Sequence, residues 1–213
     1  MLERRLLELG NRVEQAIADA VEALIERDEV RARRVLVHEE AIDSLEVHLE
    51  EECLKTLALH QPVAADLRFV ITVLKVDNDL ERMGDAATSI AARALQILKL
   101  PATDMPSQLP EMVRGARAMA RKALDCLVRA DVARAREVLL DDAAIDAAQR
   151  SLFELLQARM RARPDTVDAG VLLLSVTRQV ERIADLATNI AEDVIFLHEG
   201  EIVRHRQNKP RPQ

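Results

Sequence analysis

The sequence predicts an all-α protein built as two tandem, pseudo-symmetric three-helix bundles. Three observations lead there. Ala, Leu, Glu and Arg dominate, while Gly totals 5 and Pro 7 in 213 residues; these are strong helix formers with few breakers. Apolar residues recur at helical spacing. The second half of the chain repeats the first.

In chain order, the pattern predicts six helices at about 2–27, 29–60, 63–99, 110–130, 132–162 and 165–198. Pro62 suits the first turn of the third helix, and Pro164 that of the sixth, because a first-turn residue has no intrahelical N–H bond to lose. The segment LPATDMPSQLP carries three prolines and reads as the linker between the halves. The expected division is a first bundle at 1–100, a linker at 101–109, and a second bundle at 110–213 that ends in a short tail.

The repeat shows on superposition. Residues 74–98 align with 174–198 at an offset of 100, and nine of the 25 positions are identical, among them Glu81/Glu181, Arg82/Arg182, Asp85/Asp185 and Ile90/Ile190. Earlier segments align at an offset of 103, as in Ile42-Asp43 with Ile145-Asp146. A pattern shared over three helices is an internal duplication. The third helix of each half carries a seam spaced alternately four and three: Val76, Leu80, Met83, Ala87, Ile90, Ala94 and Ile97, then Val176, Val180, Ile183, Ala187, Ile190, Val194 and Leu197. That spacing belongs to antiparallel bundle packing.

Composition excludes several functions. Trp and Tyr are absent and Phe totals 3, so the aromatic platforms that stack single-stranded nucleic acid are missing. A net charge of −7 opposes a broad footprint on duplex DNA or anionic lipid; no nucleic-acid partner is expected. The basic stretch at 204–211 reads as a frayed terminus. Cys53 and Cys126 form no metal-type spacing and read as small buried hydrophobes, in keeping with a reducing cytosol. The first residues lack an apolar h-region, so no signal peptide is expected. No apolar run is long enough to span a bilayer.

The chemistry-bearing pattern is acidic. Asp77, Glu81 and Asp85 are spaced four apart, as are Glu181, Asp185, Asn189 and Asp193. Such residues stack on one helix face, here one turned away from the seam and therefore toward solvent or a partner. The ordinary reading is a solvated face, with Arg82 and Arg182 compensating the charge. The sharper reading is an open cation site, since oxygen-only ligands suit hard or borderline cations. A ferritin-like di-iron site needs Glu-x-x-His, and none of the five histidines has Glu three residues before it. P-loop, G-x-S-x-G and dinucleotide fingerprints are absent. Gly84 and Gly170 read as close-packing points.

These residues resemble the PhoU family of phosphate-specific transport accessory regulators, over essentially the whole chain. HQPVAADLRFV is similar to the family's Gln-Pro-x-x-x-Asp-Leu-Arg segment, DLERMGDAATSIA to its first Glu-x-x-x-Asp signature, and VERIADLATNIAEDVIFLHEGEIVRH to its closing segment. The resemblance implies cation ligands at Glu81, Asp85, Glu181, Asp185 and Asn189, with iron, Mn, Mg or Zn as the metal. This sequence departs from the pattern at Ser89, Leu186 and Ala184, and Glu46 is matched by Gln149. The second-half row keeps more ligands and is expected to hold metal more tightly. The resemblance also implies a cytoplasmic, non-enzymatic homodimer that represses the phosphate-starvation response. It would link the ATPase subunit of the phosphate ABC transporter to a membrane sensor histidine kinase, meeting the membrane only through partners. The alternative is a carboxylate metalloprotein with hydrolytic or redox activity.

Overall fold

The computed structural model describes residues 2–102 and 104–200; the basic stretch at 204–211 lies outside the described residues. Six α-helices follow one another: α1 (Leu2–Glu26), α2 (Glu29–His60), α3 (Ala64–Leu98), α4 (Gln108–Arg129), α5 (Val132–Ala162) and α6 (Val167–Glu199). No strand occurs among the described residues. The helices form two tandem three-helix bundles, α1–α3 and α4–α6. α3 packs on α1 and α2, α6 packs on α4 and α5, and α3 and α6 pack along each other. One continuous apolar core runs through both halves.

The two short reversals show how the repeat is built locally. Asp28 caps α2 by accepting a hydrogen bond from the Arg31 backbone N–H at 3.0 Å, and Asp131 caps α5 by accepting from Arg134 at 3.0 Å. Each Asp satisfies an orphan donor of the first helical turn. The residue before each cap, Arg27 or Ala130, is left-handed at φ 54° and 57°. The chain thus turns within two residues and makes neighbours antiparallel. Arg27 also donates to the carbonyls of Ile97, Leu98 and Leu100, fastening the α1–α2 reversal to the end of α3.

Burial repeats with the same offsets. The five buried residues of α2 (Ala32, Val35, Ile42, Leu49 and Cys53) have buried counterparts 103 residues later in Ala135, Val138, Ile145, Leu152 and Leu156. The α3 and α6 seams are buried throughout except Leu197, which is half-buried at the end of α6. The offset changes from 103 to 100 between the second and third helices, because α2 runs one residue further than α5 and α3 starts three residues earlier than the counterpart of the α6 start, against a connection one residue shorter. There Gln61 and Ala64 both adopt left-handed φ, at 44° and 49°. Pro62 consequently lies before α3 rather than in its first turn. Pro164 opens a separate 3₁₀ turn, Pro164–Thr166, ahead of α6. α4 begins at Gln108 and takes Pro110 into its first turn, which proline tolerates. Gly84 does serve close packing: a Cβ there would meet Ile42 Cγ2 at 3.2 Å, so its absence lets α2 approach α3.

Candidate cation site on the acidic rows

The close approach of α2 to α3 builds a carboxylate groove that the rows on α3 only half describe. Glu39 and Asp43 of α2 act electrostatically on Glu81 and Asp85 of α3. In the second half Asp142 and Asp146 of α5 act likewise on Glu181 and Asp185. Each groove therefore holds two acidic i,i+4 pairs, one from each helix. The α2 and α5 pairs were legible as a repeat, since both members recur 103 residues apart as acids.

The first groove continues where the second stops. Glu46, Glu50 and Asp77 extend it, whereas Gln149, Phe153 and Thr177 occupy the corresponding positions. Asp77 is 2% exposed, so it does not face solvent as the helical spacing suggested. Burial first, and then Glu46, Glu50 and Glu81, push its carboxyl up to about 8. Its Oδ1 is buried without a hydrogen-bond partner. The same surroundings push the Cys53 thiol up to about 12, leaving it a protonated apolar filler.

Every other shift in the grooves points the same way. Glu39, Glu46 and Glu81 are raised, mainly by desolvation and then by neighbouring carboxylates, with Arg182 opposing at Glu81. In the second groove Glu181 is raised by desolvation and then by Asp146 and Asp142, with Arg178 opposing. Asp142 and Asp185 reach about 6, again through desolvation followed by their carboxylate neighbours. Asp85 and Asp185 open to solvent, while Glu81 and Glu181 are half-buried.

The structure corrects parts of the one-helix reading. Asp193 is buried and bonded to Lys75 Nζ at 3.0 Å, so it belongs to the α3–α6 seam. Asn189 opens onto a cleft with Lys75, Asp79 and Arg82, away from the α5 carboxylates that face Glu181 and Asp185. Arg82 pairs with Asp79 at 3.4 Å rather than with Asp85. Ser89 is half-buried. The first groove, not the second, therefore carries the larger set of carboxylates. Among the described residues, no three carboxylate, imidazole or thiolate side chains converge closely enough to hold an ion as they stand.

The comparisons with known proteins agree with this architecture. The PhoU domain family model matches residues 6–94 and 109–194, one match per half. A phosphate-specific transport system accessory protein PhoU homolog of Pseudomonas putida is 38% identical over 203 residues, covering 94% of this chain and 78% of that protein. The Escherichia coli K12 accessory protein PhoU is 28% identical, with 96% and 85% covered. The crystal structure of PhoU from Pseudomonas aeruginosa superposes with a TM-score of 0.91 at 33% identity, covering 94% of this chain and 96% of that one. The phosphate transport system regulatory protein PhoU from Streptococcus pneumoniae gives 0.89 at 30% identity, with 95% of each chain covered. With both bundles matched and a Glu-x-x-x-Asp helix inside each match, the chain belongs to the PhoU family.

Proposed function

We propose that this protein is a cytoplasmic accessory regulator of phosphate transport. In this reading it represses the phosphate-starvation response, connecting the ATPase subunit of the phosphate ABC transporter with a membrane sensor histidine kinase, and works as a homodimer. The observation that supports the reading is the family match over both halves, with relatives whose names make them accessory proteins of the phosphate-specific transport system. No helix among the described residues is long and apolar enough to cross a membrane. Long exposed faces on α2 and α5 suit docking along a helix.

The donor set of both grooves fits a hard cation, because every candidate ligand is a carboxylate and carboxylates outnumber the one opposing guanidinium beside each groove, Arg182 or Arg178. Glu39, Asp43, Glu81 and Asp85 would hold it in the first half, and Asp142, Asp146, Glu181 and Asp185 in the second, by side-chain rotation toward one another. A bound cation would supply charge neutralisation, drawing α2 to α3 and α5 to α6. The hydrolytic or redox alternative has less support, because the relatives are named as accessory proteins of a transport system. The four described histidines, His38, His48, His60 and His198, are all exposed.

The test is co-purification of the full chain with the transporter's ATPase subunit and with the sensor kinase, each with and without phosphate. Phosphate-dependent retention of either partner is expected. Retention of neither under both conditions would refute the adaptor role.

A further inference from the structure

α2 carries a second seam that its own bundle does not use. The helix packs on α1 and α3 alone among the described helices, through Ala32, Val35, Ile42, Leu49 and Cys53. On the opposite side Val30, Val37, Ser44 and Glu51 recur every seven residues, and Arg33, Glu40, Val47 and Leu54 stand three positions after each. That alternation of three and four is the seam spacing of a two-helix coiled coil. Every one of these residues is exposed. The four aliphatic ones, Val30, Val37, Val47 and Leu54, are between 48% and 73% exposed. An apolar stripe on a helix face that nothing covers marks a contact surface.

The order of residues along the stripe says what fits it, because the stripe is complementary to itself when run antiparallel. Two copies can be centred at the level of residue 42 about a two-fold axis. Val30 then meets the partner's Leu54, and Val37 meets the partner's Val47. Arg33 meets the partner's Glu51. Glu40 meets the partner's Ser44, whose hydroxyl can donate to the carboxylate. The axis repeats each of these layers on its other side. Charge decides the register. Sliding one copy by seven residues sets Glu40 against the partner's Glu51 in one direction, and against the partner's Val37 in the other.

The two ions of the cross-copy layer are already held on this surface. Arg33 bonds Glu29 at 2.6 Å and Lys55 bonds Glu51 at 3.2 Å, each one helical turn away and both exposed. Neither charge is used to join α2 to another helix. The duplicated helix lacks the matching apolar layers. At the offset of 103, α5 has Ala133 where α2 has Val30 and Gln157 for Leu54, then Leu140 for Val37 and Arg150 for Val47. Leu140 would thus face an arginine. The chain has one self-matching face, and an isologous contact through one face closes at two copies.

We infer that two copies of this chain meet along the outer face of α2, antiparallel, with Val37 against the partner's Val47 and Arg33 against the partner's Glu51. This rests on the homodimer of the proposed function and on no other part of that reading. It assigns the dimer to the first half of the repeat and leaves α5 outside it.

Sedimentation equilibrium of the full chain over a range of concentrations tests the assignment. Wild type should be dimeric. Val37→Glu sets a carboxylate against an apolar side chain in two layers and should weaken the dimer by about tenfold or more. Leu140→Glu, at the equivalent position of α5, should leave it unchanged. Arg33→Glu and Glu51→Arg should each weaken the dimer when alone, since each sets like charges together. An equal mixture of those two proteins should associate as tightly as wild type, because the mixed pair has opposite charges in both layers. That complementation reads the register even if Val37→Glu does not fold. A dimer that Val37→Glu leaves intact, or a mixture that fails to associate, overturns this face while the homodimer stands. A wild type that is monomeric throughout overturns both.

Discussion

Lys75 crosses the seam between the two halves to bond the buried carboxylate of Asp193 at 3.0 Å, while its Nζ lies 4.9 Å from the centre of the Phe196 ring. The same ammonium thus meets a carboxylate and the face of an aromatic ring, both on α6. Its own side chain is partly open to water, which lowers the value of the pair. Lys75→Met keeps the stem and removes the charge. The expected loss is about 1.5 kcal/mol, the lower end for a hydrogen bond to a charged group. Urea unfolding of both proteins measures it, and equal midpoints would mean that the contact contributes nothing to the seam.

Asp77 sets a pH dependence with a definite sign. Its folded carboxyl is raised to about 8, above the roughly 3.9 of an unfolded aspartate. Between those values the folded state binds the extra proton, so stability falls as pH rises through that window. The destabilisation is fully present only above the folded value. Asp77→Asn imitates the protonated form. Thermal melts in chelator at several pH values should show the variant more stable than wild type at neutral and alkaline pH, with the gap closing toward acid. A variant less stable throughout would mean that the Asp77 charge is compensated in the fold.

Ala130 tests the local logic of the reversals. It holds φ 57° without being a glycine, a left-handed conformation that costs an L-residue about 1–2 kcal/mol. Ala130→Gly removes that strain but loosens the unfolded chain. A net gain of about 0.5 kcal/mol is expected from denaturant melts, and a loss would show that Ala130 makes packing contacts that outweigh its strain.

Much of this was legible in the sequence. The α3 and α6 seams appeared as a spacing of four and three because those helices are buried along a stripe, and Ile90 and Ile190 are fully buried. The caps lay in the same repeat but were not read from it: Asp28 and Asp131 recur at the offset that relates Ile42 to Ile145. What one helix could not show was its neighbour. Asp77 lies on the same i,i+4 row as Glu81, yet α2 covers it, and periodicity along α3 is blind to which side α2 takes. Asn189 and Asp193 likewise continue the row of Glu181 and Asp185, but the row winds around α6 by about 40° every four residues. By residue 193 it has turned from the α5 groove to the α3 seam. A straight reading of fourfold spacing therefore placed Asn189 and Asp193 in the second-half groove, which they leave, and missed the carboxylates that α2 and α5 bring to both grooves.

The carboxylate grooves give the most consequential expectation. Neighbouring acids whose protonation is favoured by mutual repulsion are destabilising when ionised, and a cation that binds only the folded chain stabilises it by mass action. Mn²⁺ should raise the melting temperature of the chelator-treated protein near neutral pH. The first groove has Glu46, Glu50 and Asp77 in addition to the four carboxylates that the second groove matches, so it should account for the larger share. Replacing Glu81 and Asp85 with Gln and Asn should remove most of the metal-dependent shift. Replacing Glu181 and Asp185 likewise should remove less. Both double variants should melt no lower than wild type in chelator, since each deletes repulsion and leaves the helix seams intact. Elemental analysis of the three proteins, taken with the melts, separates binding from general ionic effects. If Mn²⁺ and an equal ionic strength of NaCl shift all three proteins alike, the grooves are screened rather than occupied.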